Sequence, residues 1–178
     1  MGVDAWFRAF LVFLAIERGF EMGLARRNEA WIRSQGGREY GAVFTRVIFV
    51  FHLAWFLSFA VEAFYRKASL AIHPALFIIL VLLLQGARYT CIASLGKFWN
   101  TKILVLPGAS PVRRGPYRFL KHPNYLVVIL ELVLYPACFR CVYTAVIFGI
   151  LNLALLWTRI REEERALAGL QETSETVH

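Results

Sequence analysis

Five apolar stretches joined by short basic connections constrain this chain more than any other feature it has. They run from about Val3 to Leu24, Ala42 to Tyr65, Ala71 to Leu95, Asn124 to Phe139, and Cys141 to about Ile160. A helix needs about 20 apolar residues to cross the ~30 Å hydrocarbon core, and the first three stretches reach that length. The fourth is shorter. Pro136 and the turn to Cys141 predict that segments four and five form a tight helical hairpin, with the fourth tilted or stopping short of the far interface. Hydrophobic residues make up 58% of the chain, against roughly 45–50% in soluble domains, which excludes a soluble globular domain. The prediction is an all-α integral membrane protein with about five transmembrane helices, a single membrane domain over residues 1–178 with a three-helix part at 1–95. The first stretch lacks the basic leader and small-residue cleavage site of a signal peptide, so it is expected to stay in the membrane.

Lys and Arg set the orientation. Arg26, Arg27, Arg33 and Arg38 lie between segments one and two; Lys97, Lys102, Arg113, Arg114, Arg118 and Lys121 between three and four; Arg161 and Arg165 follow five. With five spans these loops share one side, and the other carries little beyond Arg66, Lys67 and Arg140. The basic loops and C-terminus are therefore expected in the cytoplasm, at an inner or cytoplasmic membrane, with the N-terminus outside. The net charge of +8 gathers at segment ends and forms no nucleic-acid motif, so anionic lipid headgroups are the expected counter-charge and no nucleic acid is expected as partner. No metal is expected either: Cys138 and Cys141 have a C-x-x-C spacing, but without a second ligand pair they and Cys91 read as small apolar packing residues. The sequence sets no oligomeric state. Residues 172–178 look disordered by composition.

Several ionisable groups lie inside the apolar stretches, where a charge at the bilayer centre costs on the order of 2.5–3.5 kcal/mol on the insertion scale. They need partners. Glu17 and Glu21 share a helix face beside Arg18, and pairing with Arg88 or Arg46 is the expected outcome. His52 and Gln85 add polar groups to segments two and three. Glu131, about two turns below His122, is expected to face a polar cavity in the bundle and receive a cation, and is a candidate substrate-binding residue.

The connection from Gly96 to Lys121 is too long for a turn, and its Trp99, Ile103, Leu104, Val105 and Leu106 predict a packed cap over the helix ends, on the cytoplasmic side. It leads into G-P-Y-R-F-L-K-H-P-N-Y, residues 115–125. Pro123 suits the first turn of a helix, whose free N–H groups and positive dipole end favour a carboxylate. Tyr117, His122 and Tyr125 offer flat faces to an aromatic ligand. Simple interfacial anchoring by basic and aromatic residues competes with this reading, but anchoring requires neither Gly-Pro-Tyr nor His-Pro-x-Tyr. At the exit of segment five, Arg159 and Glu163 lie one turn apart and present a cation and a carboxylate together. Solvated intrahelical pairing is the alternative there.

The first of these motifs, followed after one further apolar helix by R-x-x-x-E-E-x-x-L, resembles the isoprenylcysteine carboxyl methyltransferase family of integral membrane enzymes. The specific likeness covers about Val105 to Leu167. It implies an S-adenosylmethionine-dependent O-methyltransferase whose methyltransferase core spans 96–172 and whose cofactor lies at the cytoplasmic ends of the last two helices. By alignment of the motifs, Tyr117, His122, Pro123, Asn124 and Tyr125 would line the cofactor, Glu163 would hold it and share in catalysis, and Arg159 would be the catalytic residue that meets the methyl-accepting anion. The family also uses a short stretch of extended backbone, here Ser110, Pro111 and Val112, where this chain departs from the usual Thr-Leu-Val type. Glu17-Arg18-x-x-Glu21, Arg26-Arg27-Asn28 and Gly36-Gly37-Arg38-Glu39 are similar to a short bacterial subgroup, which implies phenolic or pyrone lipid acceptors beside a prenylated carboxylate. A phenol, of pKa about 10, must lose a proton, with Glu163 or Glu131 as base or Arg159 stabilising the phenolate. Alternatives that share parts of the pattern are a phospholipid N-methyltransferase, an NADPH-dependent sterol-type reductase and a non-enzymatic membrane scaffold.

Overall fold

The computed structural model describes residues 5–175, with side chains as far as Ala166. Helix α1 (Ala5–Ser34) leads to strand β1 (Arg38–Tyr40), helix α2 (Ala42–Tyr65) and helix α3 (Pro74–Leu95). Strand β2 (Ile103–Val105) follows, then helices α4 (Pro123–Cys138) and α5 (Val142–Glu175), with single 3-10 turns at Gly96–Phe98 and Gly115–Arg118. Helices dominate as the sequence predicts. Three of them, Ala42–Tyr65, Pro74–Phe98 and Val142–Ala166, are long and apolar enough to cross a membrane. Helix α4, with 16 residues, is about 24 Å long and falls short of the ~30 Å core, as expected.

Helix α1 is less apolar than α2 and α3. It is 30 residues long, but it is not among the helices apolar enough to qualify as a span. The cause is its inner stripe: Phe7, Phe10, Leu14, Glu17, Glu21, Ala25, Asn28 and Ile32 are all buried, at the three-to-four residue spacing of one helix face. The stripe changes along its length from aromatic to ionic to polar. The expected start of the first segment, Val3, lies outside the described residues. At the other end of the chain α5 continues through residues 172–175, which composition had left disordered; residues 176–178 lie outside the described residues.

One end of the bundle is a dry aromatic core. Phe10 meets Phe77 at 5.0 Å and Tyr135 at 4.9 Å, and Phe7 meets Phe59 at 5.1 Å and Phe139 at 5.2 Å, all edge to face. This geometry sets the positive ring edge on the negative face. The α4–α5 hairpin turns here, and Glu62 of α2 accepts the N–H groups of Tyr143 (3.1 Å) and Thr144 (2.7 Å). Glu62 thereby serves the open first turn of α5 from a neighbouring helix and places a carboxylate at its positive dipole end. Cys138 and Cys141 are buried and free on either side of the turn.

The basic end is tied by a feature the sequence reading missed. β1 and β2 form a two-stranded antiparallel sheet, with Arg38 opposite Val105 and Tyr40 opposite Ile103. This pairing brings the α1–α2 and α3–α4 connections to one side of the bundle. Ile103 and Val105 are buried against Tyr40 and Ala166 of α5, so three separate parts of the chain close over the helix ends. The second half of the long connection is looser: Ser110 and Pro111 are exposed and Val112 is half-buried, without regular structure.

Candidate active site

Pro123 opens α4, and no side chain caps that start. Pro123 has no N–H and Tyr125 donates its own to the His122 carbonyl at 3.1 Å, so Asn124 and the positive dipole end are what this start offers. His122 and Tyr125 lie on either side of Pro123 and Asn124 and stack with rings 5.1 Å apart and 10° from parallel. The Arg159 guanidinium of α5 lies 5.6 Å from the centre of the Tyr125 ring. A continuous polar chain joins the two helices: Arg159 Nε donates to the Tyr125 hydroxyl at 2.8 Å, and that hydroxyl donates to Glu163 Oε2 at 2.6 Å. His122 Nδ1 is 3.9 Å from the same carboxylate oxygen. Arg159 and Glu163 thus share one α5 face but are bridged through Tyr125 and are not paired with each other.

Arg159 is only 8% exposed. Its Nη2 donates to the Thr101 carbonyl at 2.9 Å, and among the described residues no carboxylate forms an ion pair with it. A buried guanidinium oriented by a phenol and a carbonyl, with no carboxylate against it among the described residues, is a candidate anion-binding group. Two further polar atoms nearby, His122 Nε2 and Asn124 Oδ1, are buried without a hydrogen-bond partner. Such atoms are costly to leave unpaired.

Tyr117 approaches from the side. It is half-buried, and its phenol is raised well above its ordinary range, first by burial and then by the neighbouring Cys91, Tyr125 and Glu163. It is a neutral hydroxyl donor at any physiological pH. Gly115 makes its position possible: its φ is +53°, and a Cβ there would lie 2.2 Å from Ser94 Oγ. Only glycine combines that left-handed backbone with so close an approach to α3. Beside this contact runs an open groove lined by Tyr89, Thr90, Ala93, Ser94 and Arg114.

Not every candidate joins this group. Pro123 is buried at the α4 start, but no hydrogen bond links Ser110, Pro111 or Val112 to the Tyr125 chain. Glu131 lies deeper, in a separate network. Arg88 Nη1 donates to Glu131 Oε2 at 2.7 Å, while its Nε and Nη2 donate to the two oxygens of Glu21, the latter at 3.0 Å. Arg18 pairs with Glu17 at 2.9 Å and Glu21 at 2.8 Å, and Gln85 Nε2 reaches Glu17, Glu131 and Tyr135 at 3.1–3.3 Å. The expected pairing with Arg88 is made by Glu21, while Glu17 is held by Arg18 and Gln85 and Arg46 is exposed at the start of α2. Glu131 does receive a cation, and that cation is the protein's own Arg88.

Sequence reasoning missed the Thr101 carbonyl and the hub role of the Tyr125 hydroxyl. A carbonyl has no residue-type signature, but Tyr125 lies two residues after a helix-starting proline and so faces whatever that helix start faces.

Against known proteins, a family model described as the isoprenylcysteine carboxyl methyltransferase (ICMT) family matches residues 77–169, which span α3, the long connection, α4 and most of α5. The chain belongs to that family. It is therefore a membrane methyltransferase, and the match extends beyond the motif region to α3, which carries Arg88 and the wall against which Gly115 packs. Similar proteins include YpbQ of Bacillus subtilis, an uncharacterized protein 39% identical over 161 residues, covering 90% of this chain and 96% of the relative. An uncharacterized protein of Haemophilus influenzae is 25% identical over 162 residues, covering 90% and 94%. No solved structure matches significantly. Helices α1 and α2 of this ICMT-family protein lie outside the family-model match but largely within the stretch shared with both relatives in extent.

Proposed function

We propose that this protein is an S-adenosylmethionine-dependent O-methyltransferase that acts on a lipophilic oxyanion at the cytoplasmic face of a cell's inner membrane. The observation that carries the reading is the buried, oriented and un-neutralised Arg159. The chain's own groups fit the cofactor. The uncapped α4 start and the partnerless Asn124 and His122 atoms suit its carboxylate and ammonium, Tyr117 and His122 suit the nucleoside, and Glu163 suits its cationic part or ribose hydroxyls. Pro123 sets the helix start; by the family resemblance alone, Ser110, Pro111 and Val112 would supply backbone to the cofactor. When bound, the sulfonium supplies a methyl group: the acceptor oxygen forms a bond to that carbon as the carbon–sulfur bond breaks, leaving a neutral thioether.

The protein's contribution is placement and exclusion of water. Arg159 presents the free part of its fork to the acceptor oxyanion, and Tyr125 holds it at a fixed distance from Glu163 so that the two charges do not collapse together. Transfer between opposite charges gains from a water-poor setting, which the buried guanidinium and the β1–β2 lid supply. A carboxylate acceptor needs no base. For a phenolic or pyrone lipid, Glu163 takes the proton, since Glu131 is already committed to Arg88. The open groove beside Gly115 offers a lateral approach for the lipid chain.

An amine acceptor, as in phospholipid N-methylation, would meet the Arg159 cation and be repelled, which favours oxygen. The family likewise favours methyl transfer over an NADPH-dependent reduction. The test is mass spectrometry of lipids from cells with and without the protein, fed an isotopically labelled methyl donor. A protein-dependent labelled O-methyl lipid or prenylated carboxyl ester is expected; label only in amine headgroups would overturn the acceptor class, and purified protein that fails to bind S-adenosylmethionine would overturn the reading altogether.

A further inference from the structure

The carbonyl that orients Arg159 belongs to a stretch of chain with no regular structure, and something must hold it still. The hold comes from α1. The Asn28 side chain is 5% exposed, and its Nδ2 donates to the carbonyl of Trp99 at 2.7 Å and to that of Gly96 at 3.2 Å. Asn100 returns the grip, donating from Nδ2 to the Ala25 carbonyl at 2.8 Å and accepting the Lys102 N–H at 3.0 Å. Trp99 is buried between Ala25 and Ile92. Lys102 then reaches Glu29 at 2.8 Å. Residues 99, 100 and 102 are thus each fastened to α1, and Thr101 between them has its carbonyl directed to Arg159 Nη2 at 2.9 Å.

We propose that Asn28 is a positioning residue for Arg159: by clamping residues 96–99 it fixes the Thr101 carbonyl, and so the direction in which the guanidinium presents its free donors to the methyl acceptor. The inference rests on the function proposed above for Arg159. It gives a task in the reaction to a residue of α1, outside the matched family segment. Both hydrogens of the Asn28 amide are used on loop carbonyls, so aspartate or leucine of similar volume cannot replace it, the first lacking the donors and the second any polar atom.

The test uses the full-length protein in lipid nanodiscs and reads Arg159 directly. The Arg159 Nε–H resonance, assigned by its loss in Arg159→Lys, is expected to be well protected from solvent exchange in the wild type and to exchange at least about tenfold faster in Asn28→Leu. Unchanged protection would overturn the proposal whether or not any acceptor is known. In the labelled-methyl assay on a total membrane lipid extract, Asn28→Leu is expected to lower kcat about tenfold and to leave the Kd for S-adenosylmethionine within about twofold. The same substitution in an Arg159→Lys background is expected to cost less than twofold, because the group it acts through is gone. A further full tenfold loss there would show that Asn28 acts on the fold alone and would sink the idea. If Asn28→Leu does not fold, Asn28→Ser, which keeps a polar atom but cannot span both carbonyls, is read by the same criteria. A wild type that neither binds the cofactor nor labels lipid would remove the enzyme reading, while the exchange measurement would still decide the clamp.

Discussion

Arg88 and Arg159 are buried to nearly the same degree, 6% and 8% exposed, yet the protein treats them in opposite ways. Arg88 has its nitrogens engaged by the carboxylates of Glu21 and Glu131. Arg159 has a phenol and a carbonyl. A closed ionic network of the first kind fixes three helices to one another and already holds its counter-charge; an arginine of the second kind is held in place without one. Burial alone therefore does not distinguish structure from chemistry in a membrane bundle. What distinguishes them is whether the partner charge is already part of the protein.

The sharpest way to break this comparison is to remove each cation in turn. Arg159→Ala is expected to reduce methyl transfer by on the order of 100- to 1,000-fold, the scale of losing an oxyanion-stabilising donor, without lowering the thermal melting temperature in detergent. Arg88→Met is expected to do the reverse to the fold, stripping buried Glu131 of its close cation and leaving Glu21 with Arg18 alone, at a cost of about 3–5 kcal/mol, seen as a large drop in melting temperature or in yield. Equal loss of stability in both variants would erase the contrast. Tyr125→Phe sharpens it, since it severs the bridge between Arg159 and Glu163 while keeping the stacked ring. A hydrogen bond to a charged group is worth about 1.5–3 kcal/mol, so turnover should fall between about tenfold and a hundredfold, with a normal melt.

Smaller effects are expected away from the bridge. Gly115→Ala imposes a left-handed backbone on a residue with a Cβ, about 1–2 kcal/mol, and drives that Cβ into Ser94. Displacement of Tyr117 should weaken S-adenosylmethionine binding about tenfold by calorimetry, and unchanged affinity would remove Tyr117 from the site. The smallest expected effect is on pH dependence at the lid. Glu29 is opposed most by its own burial, but the hydrogen bonds and charges of Lys102 and Arg33 together hold its carboxyl below the ordinary range. Lys102 is raised, chiefly by its hydrogen bond to Glu29. The Glu29 contribution is thus present above the ordinary carboxylate range and lost as pH falls through its lowered value; that of Lys102 is present below the ordinary lysine range and lost as pH rises through its raised value. The melting difference between wild type and Lys102→Ala should be flat between about pH 5 and 10 and shrink outside that window.

Much of this was legible in the residues. Hydropathy and length marked α2, α3 and α5, the helix-starting proline placed α4, and the paired spacing of Arg159 and Glu163 gave one face of the site. Helix α1 is harder to read, because mean hydropathy averages over an ionic inner stripe and an outer face on which Phe13, Ile16 and Phe20 are exposed. The assignment of Glu131 to substrate was open for a related reason, because a lone buried carboxylate looks the same in sequence whether it faces a cavity or a cation on another helix. The β1–β2 pairing had only Ile103-Leu104-Val105 as a signal, and three apolar residues do not specify a partner 63 residues earlier.

Sequence by itself determined that this chain lives in a membrane, which groups cannot rest there unpaired, and which two motifs are the candidates for chemistry, because transfer energies and helix-start preferences are properties of residues taken one or a few at a time. Only the tertiary structure decided which arginine is neutralised by carboxylates and which is not. That depends on which helices meet, and a counter-charge tens of residues away becomes a partner only when packing brings it within hydrogen-bond reach.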